Sequence, residues 1–319
     1  MLDSLGRTID YARISVTDRC NLRCVYCLGE QGDPGPAGGS LDFDDILRLA
    51  RVLAGLGVVK FKVTGGEPTL RGDLAEIVRA LKATPGVANV TLTTNGLLLD
   101  GQAQDLALAG LDAVNVSLDS LDPHAYRRLS GADALGRALA GLAAAREAGI
   151  PSIKVNCVPL AQTTPGDLLA LAGLAREHET HVRFIELMPI GPGALLPPPR
   201  GNDAILRLLE ASLGPMAPSG RALGNGPASY FSVRGFKGRI GFISALGSCF
   251  CALCNRVRIT SDGFLKTCLH MDGGIPLPLS DEGLLRSAIL EAVRRKPERH
   301  LFGTGPGCAD GRTMARIGG

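Results

Sequence analysis

The sequence predicts an α/β fold built on a parallel sheet, followed by a smaller α+β region. Short β-branched runs alternate with Ala- and Leu-rich helical stretches up to about residue 190, and a Pro- and Gly-rich segment and shorter strands follow. Strands that alternate with helices form parallel sheets. Right-handed crossovers allow two architectures, an open (β/α)6 arc or a sheet wound on both faces, and the pattern alone leaves both open.

The N-terminal elements follow in order from β-branched runs and from apolar helical periodicity. Asp42, Asp73 and Pro165 mark helix starts. The six predicted strands are Ala12–Val16, Val58–Thr64, Val87–Thr93, Ala113–Leu118, Ser152–Val158 and Val182–Leu187. The five predicted helices are Asp42–Leu56, Asp73–Lys82, Gln102–Ala109, Ala134–Ala148 and Pro165–Glu177. Functional groups of such a sheet gather at the C-terminal ends of its strands.

A linker or ordered loop at Pro189–Asn202 separates two predicted domains, residues 1–190 and residues 191–319. The composition changes after this segment, with more glycine and shorter strands. The elements predicted for the second domain are a helix at Asp203–Leu213, strands at Tyr230–Val233 and Arg239–Ile243, and a helix at Asp281–Arg294.

The composition argues against membrane and nucleic-acid partners. Of the 319 residues, 45% are hydrophobic, which is enough for a large core. No apolar run reaches the roughly 18 residues that a membrane helix needs, and the N-terminus lacks a basic-then-apolar signal region. A net charge of +3 and 4% aromatic residues give neither a strongly basic surface nor a stacking platform for bases. We therefore expect a cytoplasmic protein.

Nine cysteines are the strongest feature of the composition, and in a cytoplasmic chain they indicate metal ligands more than disulfides. Cys20, Cys24 and Cys27 form a C-x3-C-x2-C group in a loop after the first strand. Three thiolates can hold three irons of a [4Fe–4S] cluster and leave the fourth iron free for another ligand. A structural zinc ion is the alternative, but it requires four protein ligands.

A second cysteine group lies near the C-terminus, where Cys251, Cys254 and Cys268 have the spacing C-x2-C-x13-C. On spacing alone, zinc and an iron–sulfur cluster are equally good assignments, with Cys249 or His270 available as a fourth ligand. Arg256 and Arg258 follow directly. Alternate residues of an extended segment point the same way, so both guanidinium groups could bind one phosphate chain, unless they form a solvated charged surface.

Polar and small residues follow successive predicted strands. Taken singly, each has an ordinary explanation, such as a turn, a capping hydroxyl, a lysine with its stem along an apolar surface, or a core methionine. Their shared position at strand ends instead indicates one common cavity. They are Thr64-Gly65-Gly66-Glu67-Pro68, Thr93-Thr94-Asn95-Gly96, Ser117-Leu118-Asp119-Ser120, Lys154 and Glu186-Leu187-Met188.

Several of these motifs together resemble the GTP 3′,8-cyclase family of radical S-adenosylmethionine (SAM) enzymes. The first cysteine group, with an aromatic residue before its last Cys, is similar to the radical SAM signature, and TGGEP follows at the expected place. The segment FCALCNRVRIT beside that signature is specific to the GTP 3′,8-cyclases. The other matching elements are Arg13, TTNG, SLDS, ELMPIG and the terminal Ile317-Gly318-Gly319.

The resemblance implies a partial (β/α)6 TIM-like barrel with a smaller C-terminal α+β region that carries a second iron–sulfur cluster. It also implies that SAM on the first [4Fe–4S] cluster supplies a 5′-deoxyadenosyl radical, which removes the C3′ hydrogen of GTP before C3′ attacks C8 of guanine. The second [4Fe–4S] cluster would bind guanine. The product would be 3′,8-cyclo-7,8-dihydro-GTP, the first intermediate of molybdenum cofactor biosynthesis.

Residue roles implied by the resemblance follow position by position. The metal ligands are Cys20, Cys24, Cys27, Cys251, Cys254 and Cys268. The SAM contacts are Tyr26, Gly66, Ser117 and Met188. The GTP contacts are Arg13, Lys62, Thr93, Lys154, Arg256, Val257 and Arg258, and the catalytic group is Arg256, Arg258, Gly318 and Gly319.

Three positions depart from the family pattern. Lys62 stands where the family usually has Arg, which keeps the charge but loses bidentate geometry. Leu28-Gly29-Glu30 replaces a usual Met-Pro. Cys249 is an extra cysteine, and as a fourth ligand it would close the open iron of the second cluster.

The implied partners are GTP, an external electron donor and a downstream cyclic pyranopterin monophosphate synthase, and a homodimer is one candidate oligomer. Two other hypotheses stay open at this point. One is a radical SAM enzyme that modifies peptides with the help of an auxiliary cluster. The other is a metal-binding module without catalysis.

Overall fold

The structure is a computed structural model that describes residues 1–29, 40–220, 223–246, 250–271, 273–300 and 313–318. Its strands form one continuous sheet. They are β1 (Tyr11–Ser15), β2 (Lys60–Thr64), β3 (Asn89–Thr94), β4 (Ala113–Ser117), β5 (Ile153–Cys157), β6 (Thr180–Ile185), β7 (Met216–Pro218), β8 (Ser229–Val233), β9 (Ile240–Ile243), β10 (Arg256–Ile259), β11 (Phe264–Lys266) and β12 (Ile275–Pro276).

The strand order decides between the two predicted architectures. The sheet runs β12-β11-β10-β1-β2-β3-β4-β5-β6-β9-β8-β7, so β1 to β6 are neighbours in chain order and every pair among them is parallel. A sheet wound on both faces would reverse direction at a switch point, and β1 to β6 do not. The prediction of a partial (β/α)6 barrel is therefore confirmed.

Helices connect these strands in the expected alternation. They are α1 (Phe43–Gly55), α2 (Leu74–Ala83), α3 (Ala103–Leu108), α4 (Pro123–Ser130), α5 (Leu135–Glu147), α6 (Pro165–Gly173), α7 (Asn202–Leu213), α8 (Glu282–Arg294) and α9 (Met314–Ile317). Asp42 caps α1 by accepting a hydrogen bond from Asp45 N, and Pro165 is the first residue of α6 after the Thr164 cap. Asp73 precedes α2 as predicted, but its carboxylate binds Arg71 instead of capping the helix.

The C-terminal residues extend the barrel sheet at both edges. Strand β9 pairs in parallel with β6, and β10 pairs in parallel with β1. The cysteine group after β9 is thereby returned to the start of β1, whereas the first cysteine group follows the end of the same strand. The division of the chain into 1–190 and 191–319 stays a prediction.

Side-chain alternation along the strands separates an apolar shell from a polar interior. In β1, Ala12 and Ile14 are buried in the hydrophobic core, whereas Tyr11 and Arg13 line the interior cavity. The same alternation continues in the neighbouring strands. Arg13 is the Cα partner of both Arg258 and Lys62, and all three side chains line the cavity. The concave face of the barrel is therefore polar and basic.

None of the helices in the described ranges is long and apolar enough to cross a membrane.

Candidate active site

A cavity of about 510 Å³ occupies the concave side of the sheet, and both cysteine groups line it. The predicted site residues that it brings together are Arg13, Cys20, Cys24, Tyr26, Cys27, Lys62, Gly66, Thr93, Ser117, Lys154, Met188, Cys251, Cys254, Arg256, Arg258 and Cys268. They come from six of the barrel strands or their ends and from the C-terminal extension. The strand-end prediction of one shared cavity is confirmed.

A second cavity of about 640 Å³ adjoins the first across residues 224–227, and Arg256 and Phe250 line both. Its lining contains no cysteine among the described residues. We therefore take the cavity that joins the two cysteine groups as the candidate active site.

Two predicted site residues do not line the cavity, and a third is not among the described residues. The side chain of Val257 is fully buried in the hydrophobic core, because β10 alternates and only Arg256 and Arg258 face the cavity. Gly318 does not line the cavity, but its carbonyl oxygen accepts a hydrogen bond at 2.7 Å from Nη1 of Arg258, which does. Gly319, the extra Cys249 and one more cysteine outside both groups, Cys308, lie outside the described residues.

Two glycines of the TGGEP segment allow the first cysteine loop to approach the end of β2. A Cβ added to Gly66 would lie 2.3 Å from the carbonyl oxygen of Arg19, and one added to Gly65 would lie 2.5 Å from that of Thr17. In this close contact, Gly66 N donates to Thr17 O at 2.8 Å. Glycine at both positions is thus explained by the approach of two protein backbones.

The buried carboxylate of Glu67 ties the ends of β2 and β3 together. It accepts hydrogen bonds from Thr69 N and Oγ1, from Thr94 Oγ1 at 2.7 Å and from Asn95 N at 2.6 Å. Burial raises the pKa of Glu67, although these hydrogen bonds oppose the rise. Asn95 in turn donates to the Asn21 side chain within the cysteine loop at 2.7 Å, so the network orients that loop.

The aromatic residue of the first cysteine group is anchored on the next strand ends. Tyr26 donates its hydroxyl to Asp119 Oδ2 at 2.8 Å, and Asp119 Oδ1 accepts from Val158 N at 2.8 Å. Burial raises the pKa of Asp119 to about 6 and that of Tyr26 well above its usual value. The tyrosine hydroxyl therefore stays a hydrogen-bond donor at neutral pH.

The three thiols of the first group suit an iron–sulfur cluster with one open iron. Burial raises the pKa of Cys20, of Cys24 and of Cys27, the last to about 12. Nearby negative charge adds to the rise, from Glu67 at Cys20 and from Asp119 and neighbouring thiolates at Cys24 and Cys27. Three soft donors converge on one buried space, where bound iron would supply the positive charge that thiolates need. The described residues hold no set of three ligands close enough for a single ion, but each thiolate of a cluster binds a different iron.

The second group lies across the cavity, on the short 3-10 helix Cys251–Leu253 and at Cys268 after β11. Burial alone would raise the pKa of Cys254, but the charges of Lys296 and Arg256 and a backbone hydrogen bond lower it overall. The Arg256 guanidinium lies 5.2 Å from the centre of the Phe250 ring, an aromatic contact that holds its side chain. Three further thiols therefore face the same space, with cations beside them.

Six cations line the cavity between the two cysteine groups: Arg13, Lys62, Lys154, Arg183, Arg256 and Arg258. Burial and mutual repulsion lower the pKa of Lys62, Arg13 and Arg258, and burial with the charge of Arg183 lowers that of Lys154 to about 8. The lowered pKa values mean that burial and mutual repulsion disfavour the charged forms of these side chains. A polyanionic ligand would relieve the repulsion, so the lining favours such a ligand.

The sequence-based prediction missed Arg183 and the two amides that hold it. Arg183 Nη2 donates to Asn115 Oδ1 at 2.6 Å, and Nε donates to Asn156 Oδ1 at 2.8 Å. All three line the cavity from β6, β4 and β5. Period-two alternation in THVRFI, AVNVS and IKVNC was the available signal, since each polar residue alternates with buried apolar ones.

Comparison with known proteins identifies the class of protein to which this fold and this cavity belong. The family model described as "Radical SAM superfamily" matches residues 14–175, and the one described as "Molybdenum Cofactor Synthesis C" matches residues 180–302. A crystal structure of Streptococcus suis SuiB bound to S-adenosylmethionine superposes with a TM-score of 0.66 at 15% identity, covering 90% of this chain and 68% of that one. The fold and the cysteine-lined cavity are those of a radical SAM protein, which uses SAM and an iron–sulfur cluster.

Curated relatives then define the family within that class. The GTP 3′,8-cyclase of Pelotomaculum thermopropionicum is 41% identical over 331 residues, covering 100% of both chains. The GTP 3′,8-cyclase of Gloeobacter violaceus is 41% identical over 327 residues, covering 98% of this chain and 99% of the relative. The chain belongs to the GTP 3′,8-cyclase family of radical SAM enzymes. Of the three hypotheses from the sequence, the comparisons favour this one over a peptide-modifying enzyme or a non-catalytic module.

Proposed function

We propose that the chain converts GTP to 3′,8-cyclo-7,8-dihydro-GTP, the first step of molybdenum cofactor biosynthesis. Full-length similarity to the GTP 3′,8-cyclases supports the reaction. The observation that carries the proposal is one cavity that joins two cysteine groups through a basic lining. A nucleoside triphosphate matches this lining, because its phosphates are polyanionic and its base is neutral.

Residues at the first cysteine group bind and orient SAM in this proposal. Cys20, Cys24 and Cys27 would hold the cluster, which together with SAM would supply the 5′-deoxyadenosyl radical for removal of the C3′ hydrogen of GTP. Tyr26 is held by Asp119 beside the thiols, and Ser117 and Met188 line the same end of the cavity.

The basic lining binds the triphosphate. Arg13, Lys62 and Arg258 lie side by side in the register of β1, β2 and β10. Lys154 and Arg183 face them from β5 and β6. Their charges act where solvent screening is weak, so they hold the phosphates and fix the ribose relative to the first cysteine group.

A second [4Fe–4S] cluster on Cys251, Cys254 and Cys268 completes the proposal. Three thiols that share the cavity with the basic lining leave one iron open, and this iron would bind the guanine base. Arg256 and Arg258 follow Cys254 on β10 and therefore link the base end of the site to the phosphates. The carbonyl oxygen of Gly318 is bound by Arg258 at the same place, which supports a role for this glycine in the site.

The remaining expectations concern partners and location. The reaction needs an external one-electron donor, and its product requires a downstream cyclic pyranopterin monophosphate synthase. A homodimer and a cytoplasmic location also stay predictions.

Single substitutions in the two cysteine groups test the proposal. After anaerobic reconstitution, the native chain should hold about eight irons, and Cys24→Ala or Cys254→Ala about four. Cys24→Ala should abolish SAM cleavage. Cys254→Ala should retain some SAM cleavage but form no cyclised GTP, as measured by mass spectrometry of the products. Full cyclisation by Cys254→Ala would refute the role of the second cysteine group.

A further inference from the structure

A buried lysine without a proposed role lies behind the second cysteine group. Lys296 follows α8, and only 4% of its surface is exposed. It does not line the cavity that we assign to GTP. A lysine ammonium is strongly hydrated, and burying it is costly unless other groups compensate its charge and satisfy its donors.

Two backbone carbonyls accept hydrogen bonds from this ammonium, and its charge lies near two thiols. Nζ donates to the carbonyl oxygen of Arg256 at 3.0 Å and to that of Thr267, and the charge of Lys296 interacts with the Cys254 and Cys268 thiols. Thr267 directly precedes Cys268, the other ligand whose charge Lys296 feels. The ammonium therefore bridges the chain segments that carry two of the three predicted ligands.

Arg7 fixes the backbone that presents this lysine. Its Nη2 donates to Pro297 O at 2.8 Å, and its Nη1 donates to Glu298 O at 3.0 Å and to Cys251 O at 2.9 Å. Asp3 neutralises Arg7 through a contact of 2.6 Å between Oδ2 and Nε. One arginine thus joins the third predicted ligand to the segment that carries Lys296, which makes the lysine position rigid.

We propose that Lys296 is a positioning residue of the second iron–sulfur cluster, which it supports by holding together the segments that carry Cys254 and Cys268 and by compensating the negative charge of their thiolates. This inference rests on the proposed second cluster. Hydrogen bonds to ligand sulfur and nearby positive charge favour the more reduced state of a cluster. Lys296 therefore raises the reduction potential of the second cluster and leaves the first unchanged.

The test isolates the second cluster by electron paramagnetic resonance. In a background with Cys20, Cys24 and Cys27 all changed to Ala, the reconstituted chain is poised at a series of potentials with and without Lys296→Met. We expect the ratio of reduced to oxidised cluster at a fixed potential to fall about tenfold in the variant, which equals ~59 mV for a one-electron couple. Lys237→Met, which removes an exposed lysine, should leave the ratio unchanged.

The outcomes separate this inference from the proposed function. A triple-Ala background that binds no iron while Lys296 is intact would overturn both the second cluster and the lysine role. A background with about four irons, whose potential Lys296→Met does not change, would overturn the lysine role alone. If Lys296→Met does not fold, as judged by circular dichroism, Lys296→Gln replaces it, since Gln keeps a donor without the charge.

Discussion

At the scale of single residues, the cavity brings buried positive charges together, and their burial lowers the stability of the fold. Lys154 is 3% exposed, and burial with the charge of Arg183 lowers its pKa to about 8. In the unfolded chain the pKa of this lysine is about 10.4, so at pH 7 the ammonium is charged both before and after folding. Burying that charge lowers the free energy of unfolding. Lys154 therefore lowers the stability of the protein while providing positive charge for an anionic ligand.

Replacement of Lys154 by Met should raise stability and weaken GTP binding. Below about pH 8 the native lysine carries its full penalty, so the variant should gain about 1–3 kcal/mol in free energy of unfolding by urea. Between about pH 8 and ~10.4 the unfolded native chain binds more protons than the folded one, so the gain should shrink to zero. An equal gain at pH 7 and at pH 10 would contradict the assigned burial of charge.

Glu67 is a second buried residue, and its carboxylate accepts the hydrogen bonds that join the ends of β2 and β3. Four donors point at its two oxygens, so Glu67→Gln places an amide NH₂ against one of them. We expect a loss of about 2–4 kcal/mol in the free energy of unfolding and weaker SAM binding. Glu76→Gln, at an exposed position of α2, should stay within about 0.5 kcal/mol. Equal effects in both variants would contradict the network.

At the scale of elements, a loop and a strand end meet without room for a side chain. The cysteine loop crosses the end of β2 at Gly66, where both contacting surfaces are backbone. Backbone cannot move aside as a flexible side chain does. The spacing between the loop and the strand thus depends on the absence of a Cβ at residue 66.

The substitution Gly66→Ala should therefore displace the loop and reduce iron at the first cysteine group. We expect about four irons per chain after reconstitution and no SAM cleavage. Gly136→Ala in α5 meets no heavy atom within 4 Å, and it should keep all iron and gain about 0.5–1 kcal/mol in stability. Full iron content and SAM cleavage in Gly66→Ala would show that the contact tolerates a side chain.

The sequence predicted the barrel strands and the cysteine loops well, because alternation and spacing are local signals. Helix α4 was missed although Asp122-Pro123, its cap and first residue, was visible. Strand alternation turns the side chain of Val257 to the core, so its contact with GTP stays a prediction. The pairing of Arg258 with Arg13 could not be predicted, since register between residues so far apart in sequence depends on tertiary packing.

At the scale of the whole molecule, the fold returns the C-terminal cysteine group to the first strand. Strand β10 pairs with β1, and β9 pairs with β6, so the C-terminal part of the chain contacts both edges of the six-stranded arc. The two cysteine groups consequently share one cavity with six cations between them. Neither group would face the other if the C-terminal part packed as a separate unit beside the barrel.

The transfer of isotope between the two ligands tests this shared cavity most directly. The reconstituted, reduced chain is incubated with SAM and with GTP that carries deuterium at C3′, and the products are analysed by mass spectrometry. If SAM and GTP lie in one cavity, the 5′-deoxyadenosine should contain one deuterium and the cyclised nucleotide should lack it at C3′. Deuterium-free 5′-deoxyadenosine formed alongside cyclised GTP would contradict the account.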